Sequence, residues 1–289
     1  MDLATIVGLL AAFGSLAATI FIEGSDPSSL LLPGPLILVF GGTIGVGIAG
    51  ATMHDTIAAF KLVPAAFRGR RPDMAGTIAA LVRLADLVRH DGLLALDSAA
   101  EEIDDPFLKT AMQGVADGAD SDDLATRLQD EIDTRAAGLR RGAKFFGVLG
   151  GYAPTVGIIG TVVSLTHVLA HLSSPNALGP MIASAFIATL WGLLSANFIW
   201  LPIGSRIGRL CDLEVERQNL VLEGVLAIQA GVSSRALAER LAVLVPAETG
   251  KGGDKEKKDK DGKGGEAPER GAKAKGRGTK AERKESVNA

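Results

Sequence analysis

The sequence is poor in the residues from which disulfide scaffolds and enzyme sites are built. Cys211 is its one cysteine in 289 residues. That excludes an intramolecular disulfide framework and fits a reducing compartment. Aromatic residues make up 4% of the chain although apolar residues make up 47% and the mean hydropathy is +0.26. The apolar share is therefore alanine, leucine, isoleucine, valine and glycine, which suits helices packed closely in lipid better than a globular core. The histidines, His54, His90, His167 and His171, are scattered. No nucleophile–base pair and no metal-ligand spacing accompanies them, so the chain reads as a non-enzyme without a cofactor and without a nucleic-acid partner. The net charge of −3 averages over segregated stretches and excludes nothing by itself.

What the chain does have is long charge-free apolar runs. Residues 3–22, 33–52, about 147–171 and 179–204 each approach the ~20 residues that a bilayer core demands. Met1-Asp2-Leu3 lacks the basic n-region of a secretory signal, so the first run reads as a retained span. The loops within the pairs, Glu23 to Pro27 and Ser173 to Asn176, contain no lysine or arginine. Lys61, Arg68, Arg70 and Arg71 follow the second run, Arg140, Arg141 and Lys144 precede the third, and Arg206 and Arg209 follow the fourth. The positive-inside rule then puts these flanks, and both termini, in the cytoplasm. The expected fold is an all-α integral membrane protein of four transmembrane helices in two hairpins, residues 1–52 and 147–204.

Between the hairpins, residues 53–146 read as a helical cytoplasmic domain. Ile78, Leu81, Val82, Ala85 and Val88 recur at helical spacing. Ser98-Ala99-Ala100-Glu101 is a capping-box pattern that predicts a helix start, with Leu96 as its staple. Asp120, Asp122 and Asp123 put negative charge where a helix dipole favours it, at the start of a helix running into the third span. Residues 205–246 predict cytoplasmic helices, one ending near Gly231 and a last one capped by Ser233 or Ser234. The lysine-, glycine- and glutamate-rich stretch 247–289 has no apolar face and is expected to be a disordered, solubilising tail, with lysine contact to anionic lipid as the alternative.

Gly45-Val46-Gly47-Ile48-Ala49-Gly50 matches the dinucleotide fingerprint, with Asp73 about where a ribose-binding acid belongs. Its place inside a membrane-length run, with no strand–helix series after it, refutes that reading. The same glycines, with Gly41 and Gly45 as G-x-x-x-G, suit close helix approach in lipid. No aspartate, glutamate, lysine or arginine lies inside the spans, so transport by this chain alone lacks the usual protonatable carboxylate. The midplane polar groups are hydroxyls: Thr161, Ser164, Thr189 and Ser195. Each is either a packing group bonded back to its own helix or, for Thr161 and Thr189 at similar depth, a lining for a narrow polar path. His167 and His171, towards the outer end of the third span, are either interfacial or relay residues. Pro154 and Pro202 remove helix hydrogen bonds and crowd the carbonyls of Gly150 and Phe198, so kinks are expected at both.

Several ordered blocks resemble the MotA/PomA family of flagellar stator subunits over about residues 1–246. They are VRHDGLLALD at Val88–Asp97, GGYAPTVGIIGTVVSL at Gly150–Leu165, and LGP at Leu178–Pro180. AFIATLWG at Ala185–Gly192, LPI at Leu201–Ile203, and EGVLAIQAG at Glu223–Gly231 continue the series, after Met1-Asp2-Leu3-Ala4-Thr5 at the start.

The resemblance implies a homo-oligomeric ring, a pentamer, around the transmembrane helices of a MotB/PomB-type partner. The partner supplies the ion-binding aspartate, and ion flow drives the ring against the rotor protein FliG. It implies rotor-facing roles for Arg89 and for Asp97, where the family usually has glutamate. His90 stands at a position that is otherwise basic or acidic. Pro154 and Pro202 match the prolines of conformational coupling, and Thr161 and Thr189 match the ion path. The ion is H+ or Na+: protons are the commoner choice, Thr161 resembles the sodium-driven members, and Gly151 stands where some of those carry aspartate. The alternative reading of Arg89 and Asp97 is a solvated charge and a helix start. The rival function is an ExbB/TolQ-type energiser of an envelope protein, whose three spans and outward N-terminus disagree with the expected topology; a third is an autonomous channel.

Overall fold

Two long rods of helix organise the chain, and glycine decides how closely they lie. The computed structural model describes residues 3–24 and 26–245. The expected tail at 247–289 lies outside the described residues. The first rod is α9 (Ser121–Ala170), 50 residues long, or about 75 Å. It starts at Asp120, whose carboxylate accepts from the backbone N–H of Asp122 at 2.9 Å and of Asp123 at 3.4 Å. The return rod is α10 (Pro175–Ser195), a π-helical turn at Ala196–Trp200, and α11 (Leu201–Gln229). Gly231, at φ 73°, ends it, and Ser233 caps α12 (Ser234–Leu244).

The rods meet backbone to backbone. A Cβ on Gly157 would lie 2.9 Å from the Ala188 carbonyl oxygen and 3.1 Å from Gly192 Cα, and one on Gly192 would lie 2.8 Å from the Ala153 oxygen. Further along, a Cβ on Gly204 would lie 2.9 Å from the Ala143 oxygen. Only residues without side chains permit this contact, which replaces apolar side-chain packing where the surroundings are themselves apolar. Ile158, Ile159, Val162, Val163, Leu169 and Phe186 point outward, exposed within the single chain.

The first apolar run forms α1 (Leu3–Ile22), whose Phe13 meets Phe198 edge-on at 5.4 Å between ring centroids. The second run departs from the expected unbroken span over 33–52. It is α2 (Pro33–Leu36), a π-helical turn at Ile37–Gly41 and α3 (Gly42–Ala49), ending there because Thr52 caps α4 (Met53–Lys61). Of the glycines expected to allow close approach, Gly47 does so within the chain. Gly41 and Gly45 face open space, while Gly42 lies against Val156 and Gly47 against Leu149. By length and composition two helices can cross a membrane, Ser121–Ala170 and Leu178–Gln229; Ile6–Ile22 and Pro33–Ala49 are shorter apolar helices.

Away from the apolar ends, α6 (Met74–Asp91), α7 (Ala95–Glu101) and α8 (Pro106–Ala116) pack on the N-terminal half of α9, the C-terminal half of α11, and α12. Leu81, Leu96, Phe107, Leu128, Ile132 and Ile228 are buried together there. A second core, of Ala59, Phe145, Phe146, Leu149 and Trp200, is wrapped by α4 and α5 (Val63–Arg68). The expected helix start at Ser98 is displaced. Gly92, at φ 83°, ends α6, and the N–H groups of Ala95 and Leu96 bond to the carbonyls of Gly92 and Leu93 at 3.2 and 3.0 Å. This turn nucleates α7 three residues early, so Ser98 sits inside the helix and Leu96 becomes core.

The backbone contact predicts a sharp size limit. Gly157→Val or Gly204→Val is expected to destabilise the purified protein by at least about 1–3 kcal/mol, the cost of overpacking a tight interior. Gly45→Ala, which meets open space within the chain, is the comparison, and thermal unfolding in detergent measures all three.

Candidate functional site

The structure brings together some of the expected site residues. Thr161 on α9 and Thr189 on α10 touch, hydroxyl to hydroxyl. The Thr161 hydroxyl also lies 3.2 Å from the Gly157 carbonyl and 3.1 Å from the Ala185 carbonyl. Both side chains are half-buried. The glycine contact one turn away makes this possible, because it holds the helices close enough for two short hydroxyls to meet. Ser195, fully buried, donates to the Gly192 carbonyl at 3.2 Å. Ser164 lies one turn beyond Thr161 and lines a cavity of about 500 Å³ with His167, Met181 and Ser184. Chemically, this is a short seam of hydroxyl and carbonyl oxygens, the type of ligand that hard cations take.

Pro154 and Pro202 lie on different rods, about two turns apart along them, with the Gly150–Leu201 contact between. Gly150, whose carbonyl Pro154 crowds, packs against Leu201, the residue before Pro202. Ahead of Pro202 the backbone widens into the π-helical turn Ala196–Trp200. One extra residue in the turn lets the ring avoid the Phe198 carbonyl. Phe146 stacks on Trp200 at 6.5 Å, with planes 17° apart. The buried Trp200 indole N–H has no partner among the described residues, a cost of about 1–3 kcal/mol held at the kink. Pro202 also borders an apolar cavity of about 240 Å³ together with Phe13, Phe67 and Phe198. The kink therefore has room on one side.

Arg89 and Asp97 stand on either side of the Gly92 turn, Arg89 in the last turn of α6 and Asp97 in the first turn of α7. Both are exposed, and neither has an ion-pair partner among the described residues. Each charge also suits its own helix dipole, cation at a C-terminus and anion at an N-terminus. Sequence reasoning missed Leu93 and Leu94 between them, 40% and 81% exposed. They look like core in an apolar pattern, and only the positive φ of Gly92 turns them outward. The tip thus carries two leucines among Arg89, His90, Asp91 and Asp97, a mixed apolar and charged surface.

A second missed feature fixes this tip to the rods. One oxygen of Asp105 accepts from the N–H groups of Phe107 and Leu108 at the start of α8, at 2.9 and 3.2 Å. Its other oxygen binds the Arg217 guanidinium on α11. Arg217 also holds Glu214 through Nε at 3.1 Å and Nη2 at 2.7 Å. Burial disfavours the Arg217 charge, but hydrogen bonds and attraction from Glu214 and then Asp105 outweigh it and raise its pKa. Nearby, burial pushes the Cys211 thiol up, against the weaker opposing pull of Arg140; its Sγ faces the Ala136 carbonyl at 3.6 Å.

Known proteins share this architecture. The family model described as the MotA/TolQ/ExbB proton channel family matches residues 99–219. Motility protein A of Treponema phagedenis is 32% identical over 245 residues, covering 85% of this chain and 94% of that protein. Chemotaxis protein PomA of Vibrio alginolyticus is 32% identical over 242 residues, covering 82% and 92%. Among solved structures, a chain of C. jejuni MotAB matches with a TM-score of 0.82 at 27% identity, over 86% of this chain and 97% of that one. A chain of the flagellar MotAB stator complex from Bacillus subtilis matches at 0.78 and 27%, over 84% and 96%.

The raised pKa and full burial of Cys211 give an expectation for its chemistry. At neutral pH the folded protein should react with a thiol reagent far more slowly than the unfolded chain, because the thiolate is scarce and shielded. Timed labelling before and after denaturation checks this.

Proposed function

Because this chain belongs to the MotA/PomA family and is a flagellar motor stator subunit, we propose that it converts ion flow across the bacterial inner membrane into torque on the rotor. It does so as a homo-oligomeric ring, a pentamer, surrounding a MotB/PomB-type partner. All four apolar segments cross the membrane, α1 and the α2–α3 segment included, with both termini in the cytoplasm. The outward apolar residues of α9 and α10 then meet lipid, neighbouring copies or the partner. With no carboxylate between Lys144 and Arg206, the partner supplies the acidic ion-binding group, and Thr161 and Thr189 line the way to it.

The observation that carries this reading is continuity. The Thr161–Thr189 seam, the paired kinks at Pro154 and Pro202, and the core bearing Arg89 and Asp97 all lie on or against the same two rods. A change of ion occupancy at the seam alters the local packing of α9 on α10, the kinks absorb the change, and the rods carry it to the tip. There Arg89 and Asp97 engage opposite charges on FliG. Exposed charges suit this contact, because they set encounter rate and register more than residence time, which repeated stepping requires. Leu93 and Leu94 add an apolar anchor inside the charged rim.

Arg89→Glu should abolish swimming while flagella still assemble, and should be partly rescued by a matching charge reversal on FliG. Normal motility in the single variant would remove Arg89 from the torque contact. Thr161→Val keeps the side-chain shape and removes the hydroxyl. It should cut rotation speed at least about tenfold, the loss of ~1.4 kcal/mol expected when a hydrogen-bonding group leaves a transport path. The coupling ion is proposed to be H+. Rotation should then persist without external sodium and stop with a protonophore, whereas a requirement for sodium at fixed membrane potential would reassign the ion.

A further inference from the structure

His167 and His171 have no role in the function above, although His167 helps wall the cavity next to Ser164. They sit one turn apart at the C-terminal end of α9, ring centroids 4.3 Å apart and planes tilted by 51°. Between Lys144 and Arg206 only Tyr152 is otherwise titratable, so no lysine or arginine of that stretch repels a cation there. The His171 Nδ1 donates to the His167 carbonyl at 2.9 Å. A carbonyl can only accept, so this bond fixes the Nδ1–H tautomer and leaves the Nε2 lone pair free. A backbone carbonyl holding the second ring nitrogen is the arrangement that orients metal-binding histidines.

Three further observations converge on the same place. The i, i+4 spacing puts both rings on one face of the helix, as in helical zinc-binding motifs. Zn–N bonds of about 2.0–2.1 Å require two donor nitrogens roughly 3.3 Å apart, a separation that rings this close reach by small side-chain rotations. The final carbonyls of α9 direct the negative end of its dipole there. The cavity of about 500 Å³ beside His167, walled by Ser164, Thr166 and Ser184, has room for the water that completes a coordination shell. Ser164 lies one turn beyond Thr161 on the same face of α9, and Ser184 is next to Ala185, whose carbonyl meets the Thr161 hydroxyl, so the cavity that they and His167 line begins about one turn beyond the Thr161–Thr189 contact.

We propose that His167 and His171 form a two-imidazole site for a divalent transition metal, Zn2+, Cu2+ or Ni2+, at the outer mouth of that seam, and that the bound metal obstructs ion flow. This rests on the reading of the seam as the ion path. A dication at the mouth repels an incoming H+ or Na+. Mg2+ and Ca2+ prefer oxygen ligands and do not take the site.

The test is rotation of tethered cells carrying the full stator, with each variant's speed expressed relative to its own metal-free value. Micromolar Zn2+ should slow the wild type several-fold, EDTA should restore it, and Mg2+ should do nothing. In the His167→Ala/His171→Ala variant the concentration for half-inhibition should rise at least about tenfold, since loss of even a supporting contact weakens metal binding that much. Calorimetry on the purified stator complex should show Zn2+ binding that this variant lacks. Equal inhibition of variant and wild type, or no Zn2+ binding by the wild-type complex, overturns the site. Binding through these histidines without slowing overturns the obstruction. Unchanged rotation in Thr161→Val marks failure of the underlying path reading instead.

Discussion

The contact of bare backbone with bare backbone between α9 and the α10–α11 rod is the constraint on which the other features depend. At Gly157 and Gly192, and again where Gly204 meets Ala143, no side chain separates the helices. That spacing lets two threonine hydroxyls touch across the seam and brings Phe146 over Trp200. In an apolar surrounding, helices gain little by hiding apolar side chains from each other, so close approach and hydrogen bonding must supply the specificity.

Beyond the apolar region the source of order changes. There Leu81, Phe107, Leu128 and Ile228 form an ordinary buried core from helices that are distant in sequence. Asp105 joins the two kinds of structure: its carboxylate begins α8 and at the same time binds Arg217 on α11. Both side chains are partly buried, so breaking the pair leaves a poorly solvated charge at the start of α8. The tip that carries Arg89 and Asp97 is thereby pinned to a rod that reaches the seam. Flexibility is left where the kinks are, beside an apolar cavity and an unsatisfied indole.

The helical character and most helix ends were legible in the sequence because they follow from local chemistry. Asp120 and Ser233 cap as their positions predict, and Gly231 stops its helix with a positive φ. Local rules failed where a turn or a packing partner intervened. The capping-box pattern at Ser98 lost to the Gly92 turn, which starts α7 earlier, and the same turn exposes Leu93 and Leu94 against their apolar pattern. The glycines that touch a neighbour were legible only in part: Gly47 packs as expected, Gly41 and Gly45 meet nothing within the chain, and Gly42 lies against Val156. Thr161 and Thr189 were separable from the other hydroxyls only by counting depth along two antiparallel runs. The Asp105–Arg217 pair, 112 residues apart in sequence, left no sequence signal at all.

The unbroken length of α9 has a geometric consequence. From Pro154 back to Ser121 the helix extends roughly 50 Å, without a second proline to absorb bending. A rod of that length multiplies angle into distance: a tilt of about 10° at the proline moves the far end by about 9 Å. Under the proposed coupling, an angular change that small at the proline is amplified to nearly the width of a helix at the distal surface.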